Sequence, residues 1–208
     1  DKTAILKPLT NKLSKWSGEK MILFPTRIDE SLNSELIRKW ACKPSTGGKI
    51  SNVILVPSNW FADDYEKKGA HIAQGKSLEG EIAYLNSGPY NDHAVVFVNR
   101  YDGIDLSDNQ CRILVMDSLP IFTNLSDRYE QSCREGSELI DIKIAQKIEQ
   151  GLGRSVRSEK DYSVILIIGE DLIRFIKTSE NQRYFSPQTK KQIEIGEDVT
   201  KSVKDDIG

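Results

Sequence analysis

Short runs of consecutive apolar residues recur along the chain, separated by stretches in which apolar residues have helical spacing. The runs cover residues 52–56, 94–98, 112–116 and 163–168. Unbroken apolar runs of this length are typical of strands that are buried on both faces of a sheet. Because amphipathic stretches alternate with them, the pattern predicts a three-layer α/β fold, with a mainly parallel sheet and helices on both faces.

Helical periodicity marks the segments between these runs. Leu36 and Trp40 recur at helical spacing within a helix that we predict over residues 29–41. A longer segment, residues 126–157, is predicted to be largely helical, with Ser137 as the N-cap of its second part. The remaining predicted elements are helices over residues 59–68 and 77–85 and a short strand over residues 70–73.

The composition is that of an ordinary globular protein and allows one good-sized domain. The 208 residues are 38% hydrophobic and 29% charged, and their formal net charge is −2. A nucleic-acid partner would therefore need a local groove of positive potential, because the chain as a whole is not basic. We divide the chain into a lead-in or linker (residues 1–20), a domain (residues 21–177) and a polar C-terminal extension (residues 178–208).

The cellular location is predicted from what the sequence lacks. No apolar run approaches the roughly 20 residues that span a bilayer, and the start does not have the pattern of a signal peptide. We therefore expect a cytoplasmic protein with no membrane partner. Since the first residue is Asp1, we also expect the chain to be a piece of a longer protein.

Cysteine and histidine are rare in this chain. Cys42, Cys111 and Cys133 are far apart and show neither a disulfide framework nor metal-ligand spacing, which fits a reducing cytosol. His71 and His93 have no cysteine or carboxylate partner at ligand spacing in the sequence, so we predict no metal site.

One segment, residues 147–158, combines an amide and two guanidinium groups. If the segment is helical, Gln150, Arg154 and Arg157 lie on one side, because offsets of four and seven residues return to similar angles. A guanidinium forks onto phosphate oxygens and keeps its charge, so this side suits a polyanion. A solvated basic face is the alternative. The side predicted to be buried carries Ile144, Ala145, Ile148, Leu152 and Val156.

Parallel sheets bind ligands at the carboxyl ends of their strands, so the loops after the apolar runs are the next candidates. In the loop after residues 94–98, Gly103 permits a left-handed backbone between Asp102 and Asp105. An ordinary turn is the alternative there.

The loop after residues 52–56 leads into a predicted helix. Ser58 or Asn59 can cap that helix with its side chain, or the free backbone amides can hold a phosphate. The run 112–116 ends at Asp117, which either forms a turn or points into the same cleft.

These segments occur in a characteristic order: Pro57-Ser58-Asn59-Trp60, then Asp102-Gly103-Ile104-Asp105, then Asp117-Ser-Leu-Pro, and finally Gln150-x-x-Gly153-Arg154-x-x-Arg157 before Asp161-Tyr162. This order resembles the second RecA-like domain of superfamily 2 DNA/RNA helicases. The most similar branch is the DinG/XPD-like group with its helicase C-terminal domain. The resemblance spans about residues 50–172 and implies a RecA-like, P-loop NTPase-like fold.

The resemblance implies a role for the basic segment. Arg154 and Arg157, with Gln150 and Gly153, match motif VI, whose arginines reach the γ-phosphate of ATP bound on the other RecA-like domain. The expected cofactor is therefore ATP with Mg²⁺. The expected partner is an N-terminal RecA-like domain of the same parent chain.

The strand-end loops also receive roles from the resemblance. Asp102, Gly103 and Asp105 match motif V, which lies between nucleotide and nucleic acid and couples the two. The family commonly has Glu where this chain has Asp102. Strand-end loops should face the backbone of single-stranded DNA or RNA. The candidates for nucleic-acid contact are therefore Ser58, Asn59, Trp60 and Arg100. Trp60 could stack on a base or pack within the protein.

The chain contains no Gly-x-x-x-x-Gly-Lys-Ser/Thr segment and no acidic box after a strand. We therefore expect the phosphate loop and the Mg²⁺ carboxylates on the partner domain, and negligible ATP hydrolysis by the chain alone. The leading hypothesis is the C-terminal half of an ATP-dependent helicase or translocase. A degenerate RecA-like module that binds nucleic acid or protein without catalysis is the alternative. An unrelated nucleotide hydrolase, with the arginines acting in cis, is a third possibility.

Overall fold

One parallel sheet forms the centre of the molecule. The computed structural model describes residues 19–43, 48–90, 92–103, 106, 108–122, 125, 129, 132–133, 138–156 and 161–207. Its strands are β1 Glu19–Leu23, β2 Asn52–Val56, β3 His71–Ile72, β4 Val95–Val98, β5 Ile113–Asp117 and β6 Tyr162–Ile168. Their order is β1-β6-β5-β2-β4-β3, and every pair of neighbours is parallel. The predicted parallel sheet is confirmed.

Helices connect the strands and cover both faces of the sheet. They are α1 Pro25–Ile28, α2 Ser34–Ala41, α3 Asn59–Lys67, α4 Leu78–Ser87, α5 Glu138–Leu152, α6 Glu170–Lys177, α7 Ser179–Gln182 and α8 Pro187–Ile207. Short 3₁₀ turns occur at Gly75–Ser77 and Asp108–Cys111.

Alternate residues of each strand enter two separate cores, as the pleat of a sheet requires. In β2, Leu55 points into a core that also contains Ile148 of α5 and Leu172 of α6. Ile54, one residue earlier, points into the opposite core, which contains Tyr65 of α3. The three-layer arrangement that the apolar runs predicted is therefore present, and it has the RecA-like architecture.

Two predicted helices have different limits in the structure. The helix predicted from residue 29 begins at Ser34, because the side chain of Asn33 caps it by accepting the Leu36 N–H at 2.9 Å. Before the cap, a side-chain oxygen of Asp29 accepts the Ser31 N–H and forms a turn. In the segment predicted to be helical over residues 126–157, the described helix is α5, and Ser137 lies outside the described residues.

The long helix α8 packs directly against the edge strand β1. Gly196 makes this possible, because a Cβ atom there would lie only 2.9 Å from the carbonyl carbon of Ile22, and closer still to its oxygen. Ile193 of α8 is buried in the same core as Ile22. The polar C-terminal segment thus covers one margin of the sheet, and the proposed domain limits remain predictions.

Candidate functional site

The chain turns sharply at the carboxyl ends of three strands of the sheet, β4, β5 and β6. The first residue after β4, β5 and β6 has a positive φ in each case: 48° at Asn99, 68° at Ser118 and 89° at Gly169. At Gly169 a Cβ atom would lie 2.8 Å from the backbone nitrogen of Ser118, so only glycine allows β5 and β6 to end side by side. The following loops therefore start from a rigid margin of the sheet.

Asp117, at the end of β5, is fully buried and is the centre of a polar network. Arg38 donates from Nε to its Oδ2 at 2.7 Å and from Nη2 to its Oδ1 at 3.1 Å. The hydroxyls of Tyr65 and Ser118 also donate to this carboxylate, each at 2.9 Å. Burial together with this carboxylate raises the pKa of Tyr65 well above its ordinary value. Asp117, which the sequence left as a turn or cleft residue, joins α2 and α3 to the sheet.

The loop after β4 contains the predicted left-handed glycine. Gly103 has a φ of 76°, as expected, and both Asp102 and Gly103 are exposed. Asn99, at the start of the loop, donates its backbone N–H to the carbonyl of Val56 at 2.7 Å, which joins the ends of β4 and β2. Asp105 lies outside the described residues.

The end of α5 lies close to the sheet at Gly151. A Cβ atom at this position would lie 2.9 Å from Cδ1 of Tyr101, and closer still to the methyl group of Met116. The helix stops at Leu152, and the N–H of Gly153 is shared between the carbonyls of two earlier residues at 2.9 and 3.2 Å. The last turn of the helix is therefore tightened just after its point of closest contact with the sheet.

Arg154 follows this turn and is not part of the helix, so the helical register predicted for Gln150 and Arg154 is wrong. The physical reason is the pair of glycines, Gly151 and Gly153. Glycine is a poor helix former and is favoured where a helix ends. The prediction of the buried side is confirmed. The buried residues are Ile144, Ala145, Ile148, Leu152 and Val156.

Arg154 nevertheless lies beside the loop that follows β4. Its Nε donates to the backbone carbonyl of Tyr101 at 2.7 Å, and its side chain is half-buried. Tyr101 is almost fully buried between β4 and Gly103, so its carbonyl is a fixed acceptor. Gln150 is exposed one turn earlier. Arg157 lies outside the described residues.

The candidates for nucleic-acid contact surround the start of α3 and the loop after β4. Ser58 is at the N-cap position, but its side chain makes no capping hydrogen bond. Asn59 is exposed, and Trp60 is 75% exposed with its ring edge-on to Phe61 at 4.8 Å between centroids. Arg100 is half-buried. The indole of Trp60 is therefore largely open to solvent.

Sequence reasoning missed two clusters that the fold assembles. The ion pair of Arg38 and Asp117 joins residues that are 79 positions apart, so no local pattern reveals it. The second cluster is Glu81 with His71 and His93, whose imidazoles both contact its carboxylate. The sequence offered one signal for it: β3 and β4 were both predicted as strands, and each has a histidine near its start.

The comparison with protein families agrees with this arrangement. The family model of the helicase C-terminal domain matches residues 84–191, just over half of the chain, and the match includes β4, β5, α5 and β6. The chain therefore belongs to the helicase C-terminal domain family, of the DinG/XPD type, as the order of its motifs predicted. A search of curated proteins returns no significant match. None of the helices within the described residues has the length and apolar content needed to cross a membrane.

Proposed function

We propose that this chain is the C-terminal half of an ATP-dependent nucleic-acid helicase or translocase. In this proposal Arg154 and Arg157 act on ATP that another RecA-like domain of the same parent protein holds with Mg²⁺. The observation that carries the proposal is the 2.7 Å hydrogen bond from Arg154 Nε to the carbonyl of Tyr101. It fixes a guanidinium beside the strand-end loop in a chain that belongs to a helicase family.

The side chains at the end of α5 are suited to donate hydrogen bonds to a nucleotide that another domain holds. Arg154 supplies N–H donors and no acceptor, and the exposed amide of Gln150 lies one turn away. The sequence has no phosphate loop and no acidic box for Mg²⁺. When bound, ATP would supply the phosphoryl group whose transfer to water releases free energy. We assign the phosphate loop and the metal ligands to the partner domain.

The bond to Tyr101 suits Arg154 to a catalytic task. A guanidinium keeps its charge at any physiological pH, and a fixed acceptor on Nε sets the plane in which its other donors lie. Stabilising the negative charge of a transferring phosphoryl group requires donors that are already oriented, because reorientation during the reaction costs free energy. Gly151 contributes by letting α5 end against the ring of Tyr101.

The same bond supports a coupling role for the loop after β4. The carbonyl that holds Arg154 belongs to Tyr101, immediately before Asp102 and Gly103, and we assign these two residues, with Asp105, to coupling between nucleotide and nucleic acid. A displacement of this loop must displace the guanidinium or break the bond. Hydrolysis would then depend on the position of the loop, which is how a motor links chemistry to movement.

We assign the nucleic-acid contacts to Ser58, Asn59, Trp60 and Arg100. The largely exposed indole of Trp60 offers a face on which a base can stack, and Arg100 offers charge for the phosphate backbone. Single-stranded DNA or RNA fits this set, because stacking on a side chain requires an unpaired base. Binding through these few contacts should weaken as salt is raised.

The test is the parent protein with both RecA-like domains and the single substitution Arg154→Ala. Nucleic-acid-stimulated ATPase activity should fall by about 10³–10⁵-fold, the range found for arginine fingers, while strand binding is largely kept. Arg183→Ala is the matched control, because Arg183 is an exposed arginine that pairs with Glu138, at the opposite end of α5 from Arg154, and its loss should not alter ATPase activity.

Two outcomes would contradict this proposal. Unchanged ATPase activity in Arg154→Ala would favour a binding module without catalysis. Clear ATP turnover by the 208-residue chain alone, lost on Arg154→Ala, would favour a hydrolase whose arginines act in cis.

A further inference from the structure

The only two histidines of the chain meet at the β3 side of the sheet, together with one glutamate. The rings of His71 and His93 are stacked, with centroids 3.6 Å apart and planes inclined by 18°. Nδ1 of His71 lies 3.2 Å from Oε1 of Glu81, and Nε2 of His93 lies 2.7 Å from Oε2. One nitrogen from each ring and the carboxylate lie within 4.8 Å of one another.

Three separate elements bring these side chains together. The parallel pairing of β3 with β4, in which the His71 N–H donates to the carbonyl of Ala94 at 2.9 Å, puts the two histidines side by side. The hydroxyl of Ser77 donates to the carbonyl of Ile72 at 2.7 Å and anchors the start of α4, which carries Glu81. The cluster is therefore a product of the fold and not of local sequence.

His93 is held in place by Tyr84. The tyrosine ring stacks on the His93 ring at 4.2 Å, and its hydroxyl donates to the His93 carbonyl at 3.2 Å. The side chains of His93 and Glu81 are 11% and 13% exposed, whereas that of His71 is 56% exposed. The cluster thus has a fixed inner part and one ring that remains open to water.

We infer that His71, Glu81 and His93 form a binding site for a transition-metal dication of the Zn²⁺ class, with water completing the coordination. Two imidazoles and one carboxylate are a donor set that Zn²⁺ and its first-row neighbours accept, whereas Mg²⁺ and Ca²⁺ prefer oxygen ligands alone. An open coordination position agrees with the exposure of His71. This site is independent of the proposed nucleotide site.

Binding requires a small rearrangement. In stacked rings the nitrogens point side by side towards Glu81, so one ring must tilt before both can bind a single ion. Zinc–nitrogen bonds of about 2.0–2.1 Å bring tetrahedral ligands to roughly 3.3 Å from one another. His71 can make this movement because it is exposed, while Tyr84 holds His93.

The expected role of the ion is to fasten the edge strand β3. This strand has two residues and lies at the edge of the sheet, where β4 is its one partner among the described strands. An ion shared by His71, Glu81 and His93 would connect β3, α4 and the segment before β4. The backbone amide of Ala73, which donates to the carbonyl of Val96 at 2.9 Å, should then exchange its hydrogen more slowly.

The experiment uses the tag-free 208-residue chain with Cys133→Ser, because the exposed thiol of Cys133 could bind the same metals. Titration with Zn²⁺ in a calorimeter, and with Co²⁺ followed by its visible absorption, should show one ion per chain. Glu81→Gln and His93→Gln should each raise the Kd by about 100-fold or more, because loss of a ligand costs at least as much as loss of a group hydrogen-bonded to a ligand, which costs about 10–100-fold. Glu79→Gln, on the same helix, is the matched control and should leave the Kd unchanged.

Folding of each variant is checked by circular dichroism and cooperative thermal unfolding. If His93→Gln does not fold, His71→Gln replaces it, because the exposed ring contributes little to packing. Slower exchange of the Ala73 amide in the presence of Zn²⁺ would support the inference. Absence of Zn²⁺ and Co²⁺ binding by the starting protein, or a Kd that Glu81→Gln and the folded histidine variant leave unchanged, would overturn it.

Discussion

At the scale of single residues, the most consequential interaction is that of Arg38 with Asp117. The carboxylate has no solvent contact, and its three partners come from α2, α3 and the residue that follows it. The hydrogen bond to Asp117 raises the pKa of Arg38 further above its already high value. Removal of the guanidinium would leave the buried Asp117 carboxylate with only hydroxyl donors. This costs far more stability than the loss of an ion pair on the surface.

We expect Arg38→Met to lower the free energy of unfolding by about 3–5 kcal/mol, the range for breaking a buried ion pair. Urea denaturation at neutral pH measures the change. Glu194→Gln, which removes an exposed pair with Lys191, should change stability by less than about 1 kcal/mol. The double variant Arg38→Met with Asp117→Asn should recover part of the loss, because no unpaired charge remains. A loss below about 1 kcal/mol in Arg38→Met would show that this pair does not join the helices to the sheet.

At the scale of elements, the end of α5 depends on how closely a helix can approach the sheet. Gly151 lies against Tyr101 and Met116, and the turn that follows it presents Arg154 to the Tyr101 carbonyl. Gly80, an exposed residue in the first half of α4, has nothing within 4 Å of a Cβ position. Substitution by alanine can therefore be compared at a tightly packed glycine, Gly151, and at an open one, Gly80.

We expect Gly151→Ala to destabilise the protein by about 1–3 kcal/mol, as overpacking of a core does. Gly80→Ala should instead stabilise it by about 0.5–1 kcal/mol, because alanine is the better helix former. Urea denaturation of both variants gives the comparison. In the parent protein, Gly151→Ala should also lower ATPase activity, since α5 would move away from Tyr101. Equal effects of the two substitutions on stability would contradict this account of the helix end.

The sequence predicted the elements better than their ends. Apolar runs identified four of the six described strands, β2, β4, β5 and β6, because a strand buried on both faces must be apolar throughout. The edge strand β1 was not predicted, since it begins with Glu19 and Lys20. The end of α5 was missed because its apolar spacing continues to Val156, while the two glycines and the contact with Tyr101 end the helix earlier. The residues around Arg154 were predicted from motif spacing, but their contact with the Tyr101 carbonyl depends on tertiary structure. The same is true of Glu81 and its two histidines.

At the scale of the whole molecule, several weak acids are buried in the two cores. Burial raises the pKa of Cys42 to about 11, and it also raises the pKa of Cys111, Tyr65 and Tyr101. In the unfolded chain, cysteine and tyrosine ionise at about pH 8.5 and 10. Above about pH 8.5 the unfolded state therefore binds fewer protons than the folded state, so the free energy of unfolding must fall as the pH rises.

We expect the urea midpoint to be constant near pH 7 to 8 and to fall steadily between about pH 8.5 and 11. Cys42→Ala should make this fall shallower by removing one of the groups that ionise on unfolding. Replacement of the exposed Cys133 by alanine is the control. Stability that is independent of pH up to 11 would mean that these groups are not buried in the folded protein.

The order of the strands limits how far the family match can be read as a folding unit. Residues 84–191 contain β4, β5 and β6 but not β2, which lies between β5 and β4 in the sheet. The apolar runs alone did not predict this order, because it depends on which strands pair across long stretches of chain. In the matched segment by itself, β4 and β5 would be separated by the gap that β2 fills in the complete sheet.

We therefore expect a fragment of residues 84–191 to remain unfolded, since neither core can close without β2. Circular dichroism and the dispersion of amide resonances would measure this. Addition of a peptide that covers β2, residues 50–58, would not rescue folding, because β1 and β3 are absent as well. Cooperative thermal unfolding of the fragment would contradict the expectation.

The pairing of β1 with β6 has a consequence for how the protein is made. Glu19 lies opposite Tyr162, about 140 residues later in the chain. At roughly 5–20 residues per second on the ribosome, β1 waits about 7 to 30 s for its partner to be synthesised. During that interval Met21 and Ile22 cannot pair with β6, and α8, which packs against Ile22 in the folded protein, has still not been translated. Among the described strands β1 is therefore the first to be synthesised and among the last to be enclosed, so a chaperone has time to bind it.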